Sequence, residues 1–248
     1  MNIIGIIPSR YGSTRLEGKP LMDICGKPMI QYVYELAKKA EHLQRVIVAT
    51  DDLRIISAVQ DFGGEAQMTS TSHKSGTDRI AEIARRESAD IVVNIQGDEP
   101  LLDPRMIDEA IQPLLDDPTL MAATLCRPIE QEELKHNPNV VKAVFDKFGN
   151  SLYFSRSLIP FPRNQTDQKV YEHIGIYVYR YEFLMRFINM PQTPLEISES
   201  LEQLRVLENG VRLKIIQTQY AYNGLSVDTI EDLEAVRLII KTHGVNSK

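Results

Sequence analysis

The chain has 248 residues, of which 43% are hydrophobic and 25% are charged, and these proportions are ordinary for a soluble globular protein. A formal net charge of −6 argues against a nucleic-acid-binding surface, and no apolar run approaches the roughly 20 residues that a membrane helix needs. We therefore expect a cytoplasmic protein that binds neither nucleic acid nor membrane. The length suits one large domain with a smaller subdomain.

The first half of the chain alternates strands and helices. The alternation over about the first 127 residues predicts an α/β fold with a mainly parallel sheet and helices on both faces. In such sheets ligands bind beyond the carboxyl ends of the strands, so the polar loops after strands one, three and four are expected to meet in one cleft. Strands are predicted at 2–8, 45–50, 65–68, 90–96 and 121–127, and helices at 28–40, 51–62, 76–87 and 104–115.

The second half has a less regular order, which predicts a smaller mixed subdomain laid over the first half. No low-complexity linker separates the halves, so we expect residues 1–248 to form a single domain. Its parts are expected at 1–127, at 128–227 and at 228–248, where a terminal helix returns to the first half. The predicted elements are a hairpin at 140–145 and 152–155, strands at 171–179 and 213–218, and helices at 181–189, 198–208 and 229–242.

Residues 8–20 directly follow the first strand and combine glycines with three cations, Arg10, Arg15 and Lys19. The loop is not a P-loop, because Lys19 is followed by Pro20 rather than by Ser or Thr. Three cations could nevertheless offset much of the charge of a nucleoside triphosphate, since Arg and Lys bind phosphate oxygens. The alternative is a solvated charged loop.

Two acidic stretches are candidates for a metal site. Asp98 lies at the end of a predicted strand, beside a glycine, and Asp228 directly precedes the last helix. Carboxylate oxygens suit Mg²⁺, which takes phosphate and water as its other ligands. The alternatives are an acidic turn at Asp98 and a helix start with acids in its first turn at Asp228.

Two further groups of polar residues are less specific. Residues 73–79 open a helix whose amino end could attract an anion, although a Ser or Thr cap explains the same pattern. The segment from Arg156 to Arg163 could grip a carboxylate. Later in the chain, Arg205 could pair with Glu202 three residues before it.

Taken together, these motifs resemble those of the 3-deoxy-manno-octulosonate cytidylyltransferases. They span nearly the whole chain in the family's order, which is far more specific than any one motif. Sialic-acid cytidylyltransferases share the logic of the first loop but resemble it less well. The matching stretches are Ile7–Leu16 with Gly18–Leu21, Val48–Asp51, His73–Arg79, Gln96–Pro100, Asn137–Asn139, Tyr153–Arg156 with Ile159-Pro160, His173–Tyr177, Leu201–Leu207 and Gly224–Thr229.

The resemblance implies a Rossmann-like nucleotidyltransferase fold, a homodimer, and a role for each part of the chain. Residues 1–127 would bind the nucleotide, and residues 128–227 would bind the sugar acid and form the dimer. Catalysis would rest on Arg10, Arg15, Lys19, Asp98 and Asp228, with Mg²⁺ held by the two aspartates. CTP would contact Pro8, Ser9, Arg10, Ser13, Arg15, Lys19, His73, Ser75 and Gln96, and the sugar acid would contact Arg156, Arg163, His173, Tyr177, Glu202 and Gln203.

The implied activity is the transfer of CMP from CTP to the anomeric hydroxyl of 3-deoxy-D-manno-octulosonate (Kdo), for surface polysaccharide biosynthesis. The chain departs from the family pattern at Glu17, where we expect proline. It also has a shorter segment between Pro160 and Tyr171, which bears on the role of Arg163. The alternatives are a cytidylyltransferase for sialic acid or an amino analogue of Kdo, and a non-catalytic nucleotide sensor that would have lost a metal-binding acid.

Overall fold

The computed structural model describes residues 1–12, 16–164, 169–222 and 225–243. The chain forms two compact units, one made of residues 1–108 and 220–248 and the other of residues 109–219. The predicted boundaries at 127 and 227 follow from the order of strands and helices along the chain, whereas these units follow from contacts. The division of the chain by role stays a prediction.

The elements alternate regularly at first and less regularly later. In chain order they are β1 (Ile3–Ser9), β2 (Asp23–Ile24), β3 (Lys27–Pro28), α1 (Met29–Ala37), β4 (Arg45–Thr50), α2 (Leu53–Asp61), β5 (Ala66–Met68), α3 (Gly76–Glu87), β6 (Ile91–Asn94), α4 (Pro104–Asp116), β7 (Ala122–Pro128), α5 (Glu132–His136), β8 (Lys142–Phe145), β9 (Ser151–Ser155), β10 (Tyr171–Arg180), α6 (Tyr181–Phe187), α7 (Pro194–Glu199), α8 (Gln203–Glu208), β11 (Leu213–Gln217) and α9 (Ile230–His243).

A parallel sheet forms the centre of the first unit. Its strand order is β6-β1-β4-β5, and each neighbouring pair runs parallel. The isoleucines of β1 are almost completely buried, because this strand lies between two others and is covered on both faces. The carboxyl ends of β1, β5 and β6 therefore lie at one edge of the sheet, and the predicted α/β class is confirmed.

A second apolar cluster attaches the terminal helix to the first unit. Leu233 and Val236 of α9 pack with Met29 and Tyr32 of α1. Val227 belongs to the same cluster, and its backbone N–H donates to Asp98 O at 2.9 Å. Burial of these side chains thus fixes the segment before α9 beside the loop that follows β6.

The second unit has a mixed sheet with β7 at its centre. Strand β7 runs parallel to β11 and antiparallel to β10, and β10 also pairs with β8 of the β8–β9 hairpin. The register between β10 and β7 shifts between Ile174 and Tyr177. Such a bulge bends a strand and re-aims its side chains.

In the second unit one predicted helix is wrong in detail and one helix was not predicted. The single helix predicted at 198–208 is replaced by α7 and α8, because Ser200 ends α7 in the left-handed conformation with φ 51°. The helix α5 was not predicted, because it buries no side chain and so carries no apolar stripe.

Within the described ranges, no helix has both the length and the apolarity needed to cross a bilayer.

A buried ion pair holds α7 and α8 together. Arg205 is 8% exposed and Glu196 is 4% exposed, and Arg205 Nε and Nη2 donate to the two Glu196 carboxylate oxygens at 2.8 and 2.5 Å. Burial raises the pKa of the Glu196 carboxyl, but the hydrogen bonds from Arg205 outweigh it and hold the pKa below its ordinary value of 4.5. The pair therefore stabilises the fold above that value, and its contribution is lost as the pH falls through the lowered pKa.

We expect Arg205→Met to lower the free energy of unfolding by about 3–5 kcal/mol at pH 7, because it leaves the Glu196 carboxylate buried without its partner. Urea unfolding followed by circular dichroism measures the change. Arg212→Met is the matched control, since Arg212 is in the same unit but its side chain is 57% exposed. Equal unfolding midpoints for the two variants would contradict a stabilising role for the buried pair.

Candidate functional site

A cavity of about 300 Å³ opens at the carboxyl edge of the parallel sheet in the first unit. The loops after β1, β5 and β6 all line it, as the alternation of strands and helices predicts. It combines cationic and acidic side chains, which suits an anionic ligand together with a cation. The lining residues are Pro8, Ser9, Arg10, Lys19, Pro20, His73, Lys74, Ser75, Gly76, Arg79, Gln96, Gly97, Asp98 and Asp228.

Lys19 lies between the two predicted metal ligands. Its Nζ donates to Asp98 Oδ2 at 2.8 Å and to Asp228 Oδ1 at 3.2 Å. The two carboxylates are separated by about half of the chain, yet they converge on one ammonium group, and the Lys19 side chain is 15% exposed. The first loop therefore joins both acidic loops through a single cation.

At the start of α9, the carboxylates of Asp228 and Asp232 make different contacts. Asp232 Oδ2 accepts hydrogen bonds from the backbone N–H groups of Asp228 and Thr229 at 3.0 and 2.9 Å. It thereby satisfies two donors at the helix end. The helix-start interpretation is thus correct for Asp232, while the Asp228 side chain faces Lys19.

Glycine 18 sets the position of Lys19. Gly18 has φ 68° in the left-handed region, and a Cβ there would lie 3.1 Å from the Tyr11 ring. Its N–H donates to Tyr11 O at 2.9 Å, and a short 3-10 helix starts at Lys19. A left-handed residue against an aromatic ring favours glycine, so the turn brings Lys19 back to the end of β1.

The loop after β6 packs closely against the end of β1. A Cβ on Gly97 would lie 3.1 Å from Pro8 O, so one of the two backbones would have to move by a few tenths of an ångström to accept it. Ser9 is 5% exposed, and its hydroxyl oxygen has no hydrogen-bond partner in the described part of the chain. The cavity wall therefore contains a polar atom that a ligand could satisfy.

The amino end of α3 forms the third wall. Ser75 caps the helix, because its hydroxyl accepts from Asp78 N at 3.0 Å while Asp78 Oδ2 accepts from Ser75 N at 3.2 Å. The cap interpretation of this motif is therefore correct, and Ser75 also lines the cavity. Gly76 starts the helix where a Cβ would come 3.3 Å from Pro8.

His73 is oriented by a carboxylate on α3. Its Nε2 lies 2.5 Å from Glu82 Oε2, which also accepts from Ser70 N at 2.9 Å. Burial raises the pKa of the Glu82 carboxyl, but the hydrogen bonds from Ser70 and His73 and the nearby charge of Arg86 outweigh it and lower the pKa. Because the carboxylate accepts only, His73 Nε2 carries a hydrogen.

Arg79 and Lys74 lie in the candidate motif at 73–79 and line the cavity, but neither is among the predicted CTP contacts. Arg79 is 4% exposed, and its Nη2 donates to Asp51 Oδ2 at 2.8 Å while Nη1 bonds Thr69. The feature that could have identified Arg79 is its position in the first turn of a helix that begins at the predicted cleft. Its partners come from two other strand ends, which spacing alone does not reveal.

Two predicted CTP contacts, Ser13 and Arg15, lie outside the described residues. The other predicted CTP contacts line one cavity. Their roles, like those of Asp98 and Asp228, remain predictions. Among the described residues, no group of three or more His, Cys, Asp or Glu side chains is arranged to hold a metal ion.

The predicted sugar contacts lie in the second unit. Arg156 donates to three backbone carbonyls, through Nε to Glu199 O at 2.8 Å and more loosely to Pro138 O and Ser200 O. These contacts fix the chain around Arg156, and its part in binding stays a prediction. Arg163 is exposed and close to residues 165–168, which lie outside the described ranges.

His173 and Tyr177 neighbour each other on β10, with ring centroids 5.3 Å apart. Burial lowers the pKa of His173 to about 3, so its ring is neutral at physiological pH. Burial, together with the charge of Glu202, raises the pKa of the Tyr177 hydroxyl well above its ordinary value. Gln203 is only 5% exposed, whereas His173 and Tyr177 are half-buried. These three predicted sugar contacts are all neutral.

The cytidylyltransferase family model matches residues 4–215. The chain belongs to the cytidylyltransferase family. This cytidylyltransferase is 51% identical to the 3-deoxy-manno-octulosonate cytidylyltransferase of Geotalea daltonii, over 98% of this chain and 100% of that protein. It is 53% identical to the enzyme of the same name from Geotalea uraniireducens, over 95% and 98% of the two chains.

A solved structure agrees with these relatives. It is described as CMP:2-keto-3-deoxy-manno-octonic acid synthetase complexed with CTP. This cytidylyltransferase resembles it with a TM-score of 0.93 and 45% identity, over 98% of this chain and 99% of that one. The family expected from the motifs is confirmed, and the protein is a nucleotidyltransferase.

We expect Glu82→Gln to weaken CTP binding about tenfold, or ~1.4 kcal/mol, because His73 loses the charged acceptor that orients it. Calorimetric titration of the full chain with CTP measures this loss. Glu87→Gln is the matched control on the same helix, where Glu87 pairs with Arg45 and does not line the cavity. If both variants bind CTP as tightly as the wild-type protein, the orienting role of Glu82 is wrong.

Proposed function

We propose that this cytidylyltransferase transfers CMP from CTP to the anomeric hydroxyl of Kdo and releases pyrophosphate. The relatives at about half identity carry the name of this activity, and the similar solved structure is described as a CTP complex. The observation that carries the proposal is the convergence of Asp98 and Asp228 on Lys19 in a cavity lined by further cations. That arrangement suits a triphosphate and a divalent cation.

The cations of the cavity would bind the nucleotide. Arg10 and Lys19 carry charge that offsets the triphosphate, and the amino end of α3 adds a favourable dipole. In the reaction, a bond forms between the anomeric oxygen and the α-phosphorus, while the bond to the pyrophosphate oxygen breaks. Positioning of the two anions and stabilisation of the growing charge supply most of the catalysis in such transfers.

The carboxylates of Asp98 and Asp228 fit a Mg²⁺ ion. They already share one cation, the Lys19 ammonium, at hydrogen-bonding distance. Two carboxylates are sufficient protein ligands for Mg²⁺, because it usually keeps water and substrate phosphate as its other ligands. When bound, the ion would neutralise phosphate charge and lower the pKa of the attacking hydroxyl. Lys19 would then be available to the phosphates.

The second unit would hold the sugar acid. The predicted contacts His173, Tyr177, Glu202 and Gln203 offer hydrogen-bonding groups suited to a polyhydroxylated ligand, and the arginines at 156 and 163 are the candidates for its carboxylate. We further propose a cytoplasmic homodimer whose product feeds surface polysaccharide biosynthesis. The dimer can be tested by light scattering of the purified full chain.

We expect Asp98→Asn and Asp228→Asn each to reduce kcat by about a hundredfold or more, or ~2.7 kcal/mol, because each removes a charge that holds the metal. Pyrophosphate release from CTP and Kdo over a Mg²⁺ titration measures the effect. Asp61→Asn is the control, since Asp61 is exposed on α2 away from the cavity. Wild-type turnover in either variant would remove that residue from the metal site.

Lys19→Met is expected to impair the use of CTP more than that of Kdo, because the ammonium would bind the phosphates. We expect the KM for CTP to rise about tenfold or more while the KM for Kdo changes little. Lys27→Met serves as control, since Lys27 pairs with Glu35 outside the cavity. Equal changes in both Michaelis constants would contradict the assignment.

A panel of sugar acids distinguishes the proposal from its nearest alternative. With CTP and Mg²⁺, the proposed activity predicts the highest kcat/KM for Kdo, and lower values for sialic acid and for an amino analogue of Kdo. A preference for either of the others would replace the acceptor in the proposal. Absence of pyrophosphate release with every acid would favour the nucleotide sensor instead.

A further inference from the structure

The hydroxyl of Thr124, a fully buried residue of β7, contacts backbone carbonyls at the bulge in β10. Thr124 Oγ1 lies 2.8 Å from Ile176 O and 3.1 Å from Ile174 O, and the register of β10 shifts between Ile174 and Tyr177. It also lies 2.9 Å from Nε2 of His173. One hydroxyl thus contacts two backbone acceptors and one ring nitrogen.

Counting hydrogens assigns the direction of these bonds. A threonine hydroxyl has one hydrogen to donate, and a carbonyl oxygen only accepts. If Thr124 gave its hydrogen to His173, its oxygen would face two carbonyl oxygens with lone pairs only, which is repulsive. The hydroxyl therefore donates to the carbonyls, with Ile176 O the nearer, and accepts from an N–H on His173 Nε2.

The other ring nitrogen then has a lone pair. The His173 ring is neutral at physiological pH, because burial lowers its pKa to about 3. A neutral imidazole with hydrogen on Nε2 has an acceptor at Nδ1. Within the described ranges, the side-chain hydrogen bond of His173 is the one that Nε2 makes to Thr124, and the residue as a whole is half-buried. Nδ1 is therefore the ring acceptor left for a ligand.

We propose that Thr124 is a positioning residue that fixes His173 in the Nε2–H form, so that Nδ1 accepts a hydrogen bond from a hydroxyl group of the sugar acid. The proposal rests on the proposed function. It also implies that different residues bind the hydroxyl groups and the carboxylate of the sugar acid, because a neutral acceptor cannot bind a carboxylate, which has no hydrogen to donate. His173 recognises the polyol part of the substrate, and the acid group is bound elsewhere.

The neighbours of His173 favour an acceptor of this kind. Phe154 contacts the ring edge to face, with centroids 5.1 Å apart, and Tyr177 contacts it with centroids 5.3 Å apart. Both rings limit the movement of the imidazole. Because the Tyr177 hydroxyl keeps its hydrogen, it can donate where His173 accepts, and the pair offers complementary groups to a hydroxyl-rich ligand.

The first test compares kinetics of Thr124→Val, Thr124→Ser and the wild-type protein. We expect the valine variant to raise the KM for Kdo about fivefold to tenfold, with the KM for CTP within about twofold of wild type, and the serine variant to restore the wild-type value. Thr218→Val is the matched control in the same unit, since it removes the hydrogen bond from Thr218 Oγ1 to Glu109 and leaves His173 untouched. Equal KM values for Kdo in the valine variant and in the wild type would overturn the proposal.

The second test needs no variant at Thr124 and no turnover. Nitrogen-15 NMR of the ligand-free full chain reports the tautomer of His173, with the resonance assigned by its loss in His173→Asn. We expect the Nε2–H form, and an Nδ1–H form or a charged ring would overturn the proposal. Failure of the proposed function would be distinguishable from failure of this proposal. In the first case the wild-type protein would not use Kdo as a substrate, and the NMR measurement would still determine the tautomer of His173.

Discussion

The candidate site depends on the contacts that the Lys19 ammonium group makes with two carboxylates. Asp98 and Asp228 carry like charges, and their approach without a cation between them would be unfavourable. Lys19 offsets this repulsion and joins the loop after β1 to the loop after β6 and to the segment before α9. A metal ion bound there would offset the same repulsion, so two cations would then be available to one pair of carboxylates. The arrangement keeps the acids together before the substrate arrives.

The parallel sheet makes this convergence possible. Strand β1 lies between β4 and β6. Its carboxyl end is therefore flanked on both sides by the ends of other parallel strands, and the loops that follow these strands lie close to it. Close backbone approach then sets the fine geometry, as at Gly97 against Pro8 and at Gly18 against Tyr11. Side chains at these glycines would push apart the loops that carry the charges.

Much of this architecture was predictable from local pattern. The bounds of β4 and α3 agree with the sequence, because apolar runs and a Ser-x-x-Asp capping pattern are local signals. The break at Ser200 was missed, since a left-handed serine leaves no glycine as a marker. Thr124 was missed for a different reason. Its significance depends on a partner on another strand and on the register shift in that strand, and spacing along the chain contains neither.

The division of the chain has a consequence for the order in which the site is built. The first unit is interrupted by residues 109–219 and resumes at residue 220, and it is this late segment that supplies Asp228. During synthesis from the amino end, Lys19 and Asp98 are present long before their third partner. A growing chain therefore cannot complete the carboxylate pair until the second unit has been made. If the proposed roles are correct, the metal and the nucleotide can be bound together only after the second unit has been made.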